Sequence, residues 1–296
     1  MAEKRIGVLI YNEEARFTES QQGILDQLKI DGFGEPAAKF TMENARNSKA
    51  KAAEVARKFG EAKMDLIIAI GTPATLAVTG EIKDVPIVFS MLYDPVEVGV
   101  AQDWKSSGNN TTGVSPRVPV EKIVDAMREV VPIKRLAVLY TPGEKHTELQ
   151  LKELQKIQAD FKIRVIPVIL DNTEEIAETV SIVASAVDAM YLTGSSIINA
   201  SIPVIVEIAT RAKVVTATHI EEFVSKGVLL GICVNPYRVG RLAGEKAVKI
   251  LRGTRPSDIP IETLKKFDLI VNKRTAKAGK FDLPPAFMKT VTKTIE

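Results

Sequence analysis

Residues 65–78 read D-L-I-I-A-I-G-T-P-A-T-L-A-V, and this segment constrains the fold more than any other in the chain. Residues 66–70 form an unbroken apolar run, which predicts a strand buried on both faces. Gly71 ends the run, and Thr72 followed by Pro73 favours a helix start with Thr72 as its cap. A strand that turns at once into a helix indicates a parallel sheet.

Such a turn leaves unused N–H groups and the Thr72 hydroxyl at the carboxyl edge of the sheet. That edge suits an anionic or polar small molecule. The same residues also fit an ordinary helix start, and both interpretations stay open at this point.

Strand and helix signals alternate along the 296 residues. The predicted strands are 5–11, 37–42, 66–70, 85–90, 136–140, 164–170, 189–193, 214–218, 228–234 and 267–271. The predicted helices begin at a capping box over 18–21, at Ser48, at Thr72 and at Thr173, and cover 120–131, 147–161, 202–212 and 237–251. The polar stretch 105–112 is interpreted as the approach to a crossover. This order predicts an α/β chain with doubly wound parallel sheets.

Composition excludes several classes of protein. Forty Lys and Arg against 37 Asp and Glu give a net charge of only +3, spread without a nucleic-acid footprint. Cys233 is alone, which rules out an internal disulfide and a cysteine-ligated metal, and His146 and His219 have no metal-ligand spacing. No apolar run reaches the roughly 18 residues of a membrane helix.

The two halves of the chain share a pattern. Their first strands end in Tyr11 and Tyr140, and a later strand of each half stops at a small-residue turn, Gly71-Thr72 or Gly194-Ser195. The helix 237–251 and the strand 267–271 remain after both halves are complete, so we expect the chain to cross back between two lobes joined by a multi-strand hinge. The predicted lobes are 1–117 with 237–262, and 118–236 with 263–296.

Several segments together resemble a known family. They are A-I-G-T-P-A-T, V-P-I-V-F-S with D-P, N-N-T-T-G-V-S, L-A-V-L-Y-T-P-G-E, G-R-L-A-G-E-K-A-V-K-I-L-R-G-T-R-P-S-D-I-P-I-E and L-I-V-N-K-R-T-A-K. This series, from about Ile6 to Pro284, resembles the ABC-transporter substrate-binding proteins with the type I periplasmic-binding fold. The best-characterised members bind tryptophan or phenylalanine.

The resemblance implies a receptor, not an enzyme, that closes two lobes on a small solute and delivers it to a membrane permease. It implies a monomer with no cofactor, no metal and no nucleic-acid partner. Family members are exported to the periplasm or the outer cell surface. The start Met-Ala-Glu-Lys-Arg carries no signal peptide, so we expect that segment to have been trimmed.

The resemblance also places the solute in the cleft where the strand ends of both lobes meet. The ligand-binding residues expected on this basis are Tyr11, Asn12, Gly71, Thr72, Pro73, Ala74, Asp94, Tyr140, Thr193, Gly194, Ser195, Ser196, His219, Asn235 and Tyr237. His219 follows a strand and is equally compatible with a role outside the cleft, and Asp94 before Pro95 also fits a simple Asx-turn.

The sequence departs from the amino-acid-binding pattern at two places. Relatives read roughly Asp-Asn-Thr where this chain has Gly194-Ser195-Ser196, and Asp-Tyr-Tyr where it has Asn235-Pro236-Tyr237. A buried ammonium needs a paired anion. Unless Asp94, Glu13 or Glu14 takes that role, we expect a neutral or anionic solute rather than an α-amino acid.

Two alternatives stay open. One is a ligand-sensing receptor subunit, whose sequence pattern does not differ from that of a transport protein. The other is a small-molecule enzyme on the same sheets. It is disfavoured because no G-x-G-x-x-G follows the first strand, no G-x-x-x-x-G-K-[ST] occurs, and no nucleophile, base and orienting residue can be assembled.

Overall fold

The computed structural model describes residues 3–296. They divide into two compact units: 3–117 with Asn235–Lys265, and Val118–Val234 with Lys266–Glu296. The chain therefore passes from one unit to the other three times. Each unit is an α/β body built on one sheet, which confirms the predicted fold class.

Strands and helices alternate along most of the chain. The strands are β1 Lys4–Ile10, β2 Ala38–Asn44, β3 Leu66–Ile70, β4 Ile87–Ser90, β5 Thr111–Ser115, β6 Arg135–Tyr140, β7 Arg164–Ile169, β8 Ala189–Leu192, β9 Val215–Thr218, β10 Leu230–Cys233, β11 Glu262–Thr263, β12 Asp268–Asn272 and β13 Lys293–Ile295. The helices are α1 Ala15–Ile30, α2 Lys49–Glu61, α3 Thr72–Glu81, α4 Val120–Arg128, α5 Lys145–Ile157, α6 Ile176–Ala184, α7 Ser196–Arg211, α8 Glu221–Ser225, α9 Pro236–Leu251, α10 Lys273–Gly279 and α11 Pro285–Met288.

The first unit has a sheet of order β11-β5-β4-β3-β1-β2, in which every recorded pair is parallel. All five residues of β3 are fully buried, as the unbroken apolar run predicts. Ser48 caps α2 by accepting the N–H of Lys51 at 3.1 Å. The helix predicted to begin at Ser48 therefore begins there, with Ser48 as its N-cap.

Helices α1 and α9 of the first unit pack backbone against backbone. A Cβ on Gly23 would lie 2.2 Å from the carbonyl oxygen of Tyr237, and one on Gly240 would lie 2.0 Å from that of Ser20. Only glycine allows so close an approach. This packing holds α9 against the unit although more than 200 residues separate it from α1 in the chain.

The second unit has the order β13-β12-β10-β9-β8-β6-β7, with β10 and β12 antiparallel. An apolar cluster of this unit joins β6 and β8 to α6 and α7 through residues such as Leu139, Leu192 and Ile202. Cys233 is fully buried in β10, as expected for a core residue, and burial raises the pKa of its thiol.

Several predicted helix boundaries are wrong. The capping box over 18–21 lies inside α1, where the Thr18 hydroxyl donates to the carbonyl of Ala15. Thr173 does not cap α6, because the side chain of Asn172 accepts the N–H groups of Glu174 and Glu175 and forms a turn before the helix. The helix predicted over 202–212 begins earlier, at Ser196.

The stretch interpreted as a crossover approach ends in a strand. Residues Thr111–Ser115 form β5, between β4 and β11, and all five are buried. No helix within residues 3–296 is long and apolar enough to cross a membrane.

Candidate functional site

Each sheet reverses its strand order at one place. In the first unit β1 lies between β2 and β3, and the chain then continues outward from β3 to β4 and β5. In the second unit β6 lies between β7 and β8 in the same way. Ligands of open α/β sheets bind outside the carboxyl ends of the strands at such a reversal. The ends of β1 and β3, and of β6 and β8, are therefore the candidate site in each unit.

Gly71 joins β3 to α3. Its φ of 97° and ψ of 150° lie in a region that is essentially restricted to glycine. A Cβ there would lie 3.2 Å from Cβ of Tyr11. Gly71, not Thr72, is the N-cap of α3, so the predicted cap is wrong by one residue. Pro73 lies in the first turn, as predicted.

Thr72 becomes the first helical residue and is only 6% exposed. Within residues 3–296 its hydroxyl makes no hydrogen bond, whereas the hydroxyl of Thr75 donates to the carbonyl of Gly71 at 2.9 Å. Ala74 is fully buried in the same turn. The first turn of a helix also leaves N–H groups unused by the helix itself. This turn can therefore donate hydrogen bonds to a polar or anionic group.

The end of β1 carries a network of polar side chains. The Tyr11 hydroxyl donates to the carbonyl of Asn47 at 3.1 Å, and the Asn12 amide donates to Oε1 of Glu14 at 3.1 Å. Oε2 of Glu14 lies 2.7 Å from the guanidinium of Arg16, with both side chains nearly buried. Sequence reasoning missed Arg16, whose position on a helix gives no local signal of this pairing.

Asp94 follows β4, and its carboxylate both accepts backbone N–H groups and forms an ion pair. Its Oδ1 accepts the N–H groups of Val96 and Glu97 at 3.1 Å each, as in an Asx-turn, and its Oδ2 lies 3.1 Å from the guanidinium of Arg117. Met91, at the end of the same strand, has a φ of 59°. Left-handed backbone on a residue other than glycine is uncommon and often accompanies functional sites.

The corresponding hydroxyls of the second unit are bonded within the unit. The Thr193 hydroxyl donates to the carbonyl of Leu139 at 2.8 Å. Ser195 caps α7 by accepting the N–H groups of Ile197 and Ile198, and it is fully buried. Ser196 is the first residue of α7, and it also has contacts of its own.

Glu144, the N-cap of α5, and His146, in the first turn of that helix, lie next to this turn. His146 Nε2 lies 3.0 Å from the carbonyl oxygen of Gly194 and 3.6 Å from Oε2 of Glu144. Oε1 of Glu144 lies 3.5 Å from the Ser195 hydroxyl. Sequence reasoning missed both residues as site members. Tyr140, at the end of β6, is half-buried, and its hydroxyl makes no hydrogen bond within residues 3–296.

His219 lies in a buried network of the second unit. Its Nδ1 is 2.8 Å from the Tyr191 hydroxyl, and its Nε2 is 3.3 Å from the amide nitrogen of Gln150. Burial raises the pKa of the Tyr191 phenol well above its usual value. Each of these three side chains thus has a partner in the core, and a ligand-binding role for His219 stays a prediction.

Asn235 and Tyr237 lie at the start of α9 and belong to the first unit. Asn235 caps the helix by accepting the N–H of Arg238 at 2.9 Å. The Tyr237 hydroxyl donates to Asp26 of α1 at 2.9 Å. Both side chains therefore have structural contacts, and their expected contacts with a ligand are untested.

Two sheets with these reversals define the class of protein: a two-lobe, type I periplasmic-binding fold. The leucine-binding protein of Thermotoga maritima has the same fold, with a TM-score of 0.66 at 16% identity over 84% of this chain and 83% of that one. The chain belongs to the family of ABC transporter substrate binding proteins, whose model matches residues 5–295.

Two similar proteins are described by their ligands. The tyrosine-binding protein of Clostridioides difficile is 27% identical over 278 residues, which cover 93% of this chain and 81% of that protein. The ABC domain of a Streptococcus pneumoniae protein, solved in complex with L-Trp, is 25% identical with a TM-score of 0.92, over 99% of this chain and 100% of that one. These are solute-binding proteins rather than enzymes.

Proposed function

We propose that this chain is the extracytoplasmic solute-binding protein of an ABC importer and holds a small polar solute at the carboxyl edges of its sheets. Its family supports the binding role, because substrate-binding proteins of such importers work outside the cytoplasm and pass their solute to a membrane permease. The chain acts as a monomer, closes on its solute and needs no cofactor.

The observation that carries this proposal is that Thr72 is nearly buried while its hydroxyl has no hydrogen-bond partner within residues 3–296. The residue is only 6% exposed, it follows the strand at which the order reverses, and its hydroxyl has no hydrogen bond within residues 3–296. Nearly buried polar groups normally have a partner. A solute oxygen supplies that partner, accepting from the hydroxyl and from the first N–H groups of α3.

The first experiment is a thermal-shift screen followed by calorimetry. The panel contains aromatic and aliphatic amino acids, small carboxylates, nucleosides, pyrimidines and sugars. The similar proteins that bind L-Trp or are named for tyrosine make amino acids the first probes. A ligand at a hundredfold excess over its Kd stabilises the folded form by about 2.7 kcal/mol. A panel without any hit contradicts the proposed function for these solute classes.

Thr72→Val tests the site itself. Removing the donor should weaken the best hit by about 1 to 3 kcal/mol, or roughly 5- to 150-fold in Kd, because the solute oxygen is left unpaired. Thr79→Val is the matched control: it lies on the same helix, and its hydroxyl donates to the carbonyl of Thr75 at 2.9 Å. Equal Kd values for the two variants would show that the Thr72 hydroxyl does not bind the solute.

A further inference from the structure

The amino edge of the second sheet brings together basic residues that are scattered along the sequence. Five helix-to-strand connections lead into the parallel strands β6, β7, β8, β9 and β10 of this sheet. With the first residue of each strand included, they are residues 129–135, 158–164, 185–189, 212–215 and 226–230. They contain six basic and three acidic residues, and all six basic residues are exposed.

Backbone hydrogen bonds hold neighbouring connections of this edge side by side. The N–H of Arg164 donates to the carbonyl of Lys134 at 2.7 Å. The N–H of Asp188 donates to the carbonyl of Arg135 at 3.0 Å. Residues from three separate connections are thus fixed next to one another at the amino edge.

The start of α10 adds two more basic residues to this edge. Strand β12 is antiparallel to β10, so its last residues lie beside the first residues of β10. The Thr275 hydroxyl donates to the carbonyl of Gly227 at 2.7 Å and ties α10 to the connection before β10. We call the exposed basic residues of this edge the basic row: Lys134, Arg135, Lys162, Arg164, Lys213, Lys226, Lys273 and Arg274.

Most of the basic row has no acidic partner. Its three ion pairs within residues 3–296 are Arg135–Asp188, Lys226–Glu222 and Lys273–Glu296. The other five side chains make no ion pair within these residues. Glu129 and Asp160, the remaining acids of the five connections, offset two of those charges. The surplus at this one edge is therefore as large as the net charge of the whole chain, which is +3.

Helix dipoles alone do not explain the basic row. The dipole of a helix stabilises cations near its C-terminus, and the helix-to-strand connections of both units begin at helix C-termini. In the first unit these connections are residues 31–38, 62–66, 82–87 and 252–262, and they contain four basic and six acidic residues. The same helix geometry thus accompanies an excess of acids in one unit and of bases in the other. The charge of the second edge needs a different reason.

We propose that the basic row binds the anionic headgroups of a phospholipid membrane and holds the protein near the bilayer that contains its permease. The six strands that end at this edge, spaced about 4.8 Å apart, spread the row over roughly 24 Å. An anionic lipid surface offers phosphates along that whole length, and each Lys or Arg close to it adds to the attraction. The proposal rests on the proposed function only for the location outside the cytoplasm, where the extended polyanion is the lipid surface rather than nucleic acid.

Cosedimentation of the full chain with vesicles tests the proposal. The vesicles contain phosphatidylcholine alone or with about 30% phosphatidylglycerol, in about 20 and about 150 mM salt. The protein should bind only the anionic vesicles, at least about tenfold more weakly at the higher salt because the Debye length is then shorter. Absence of binding at low salt, or equal binding to neutral vesicles, overturns the proposal. Binding to duplex DNA but not to vesicles also overturns it.

A triple variant tests whether the basic row is the contact. Lys134→Gln, Arg164→Gln and Arg274→Gln remove three exposed side chains that make no ion pair within residues 3–296, so folding should be unaffected. Partition onto anionic vesicles should fall by about fivefold for each charge removed, or roughly 100-fold for all three. An unchanged partition coefficient contradicts the assignment to this edge.

The matched control removes the same charge from the first unit. Lys39→Gln, Lys105→Gln and Lys249→Gln change side chains that are likewise exposed and without an ion pair within residues 3–296. This variant should lose less than about threefold in partition, because lipid attraction comes from the charges close to the bilayer. Equal losses in both triple variants would show that overall charge, not the basic row, governs binding, and that result overturns the proposal. The solute panel is a separate measurement, so a panel without hits counts against the proposed function alone.

Discussion

Asp65 and Asp188 occupy matching positions in the two units. Asp65 directly precedes β3 and accepts the N–H of Arg5 in β1 at 2.8 Å. Asp188 directly precedes β8 and accepts the N–H groups of Lys134 and Arg135 at 2.9 and 2.8 Å, as well as contacting the Arg135 guanidinium. The amino ends of the central strands are therefore held together in the same way in both units.

The carboxyl ends of the same strands differ. The turn after β3 has a left-handed Gly71 and an open Thr72 hydroxyl, whereas in the turn after β8 Ser195 caps its helix and bonds to Thr141. The acids of the first edge are matched by arginine, and Glu144 of the second edge lies beside a histidine. The amino edge is thus repeated in both units, whereas the carboxyl edge, where the candidate site lies, differs between them.

Gly71→Ala should have the largest effect of the changes that test this comparison. A side chain at φ 97° is strained, and its Cβ would lie 3.2 Å from Tyr11 Cβ. We expect a loss of about 2 to 3 kcal/mol in the free energy of unfolding, measured by urea denaturation, and weaker binding of any ligand held by Thr72.

Gly80→Ala is the control for that change. Gly80 lies in the same helix, and a Cβ there meets no atom within 4 Å. Alanine should leave the free energy of unfolding unchanged or raise it by up to about 1 kcal/mol, because alanine is the better helix former. A loss of similar size in both variants contradicts the special role of Gly71.

Asp188→Ala should cost about 1.5 to 3 kcal/mol, because it leaves two N–H groups and a guanidinium without their acceptor. Asp65→Ala should cost less, since Asp65 is 36% exposed and its contacts are one N–H and a lysine. Urea denaturation of both variants measures the difference. Equal costs would show that the two amino edges contribute alike.

The effect of Asp188 should also depend on pH. Burial raises the pKa of this carboxyl, but the Arg135 guanidinium and the N–H groups of Lys134 and Arg135 outweigh it, so the folded pKa lies below its ordinary value. A depressed folded pKa gives stability that is present above the unfolded pKa and lost as pH falls through the folded one. The stability difference between wild type and Asp188→Ala should therefore hold from about pH 7 to about 5 and shrink below about pH 4.

The local sequence pattern is enough to predict a strand or helix when all of its residues lie in the same environment, for example when all are buried. Residues 66–70 are apolar throughout and are buried throughout, so the prediction of β3 matches the structure at both ends. The strand β5 escapes prediction because its sequence, T-T-G-V-S, is polar, and only its place between β4 and β11 buries it. Tertiary context overrides local propensity in such a strand.

The candidate site is only partly predictable for a similar reason. The turns at Gly71 and Gly194 follow apolar strands, and the sequence reveals such an ending. The contact between His146 and Gly194 joins residues 48 positions apart, and that of Glu144 with Ser195 joins residues 51 apart. No short-range spacing of residues in the sequence predicts contacts between positions so far apart. The same limit explains why the sequence assigns Thr72 the cap that Gly71 occupies, since only the backbone φ distinguishes the two.

Ser195→Ala and Thr72→Val should both affect stability less than Gly71→Ala or Asp188→Ala, and together they separate the two edges. Loss of its helix cap should cost about 1 kcal/mol in the free energy of unfolding, while the Kd of the ligand should change less than in Thr72→Val. Thr72→Val should show the reverse, with unfolding within about 0.5 kcal/mol of wild type, because its hydroxyl has no partner within residues 3–296 to lose. Calorimetry and urea denaturation on both variants give the four values needed. If Ser195→Ala weakens binding as much as Thr72→Val does, the Ser195 hydroxyl contacts the solute, and it must first give up its role as the cap of α7. In that case the turn after β8 is not purely structural, and the two turns do not differ in the way described above.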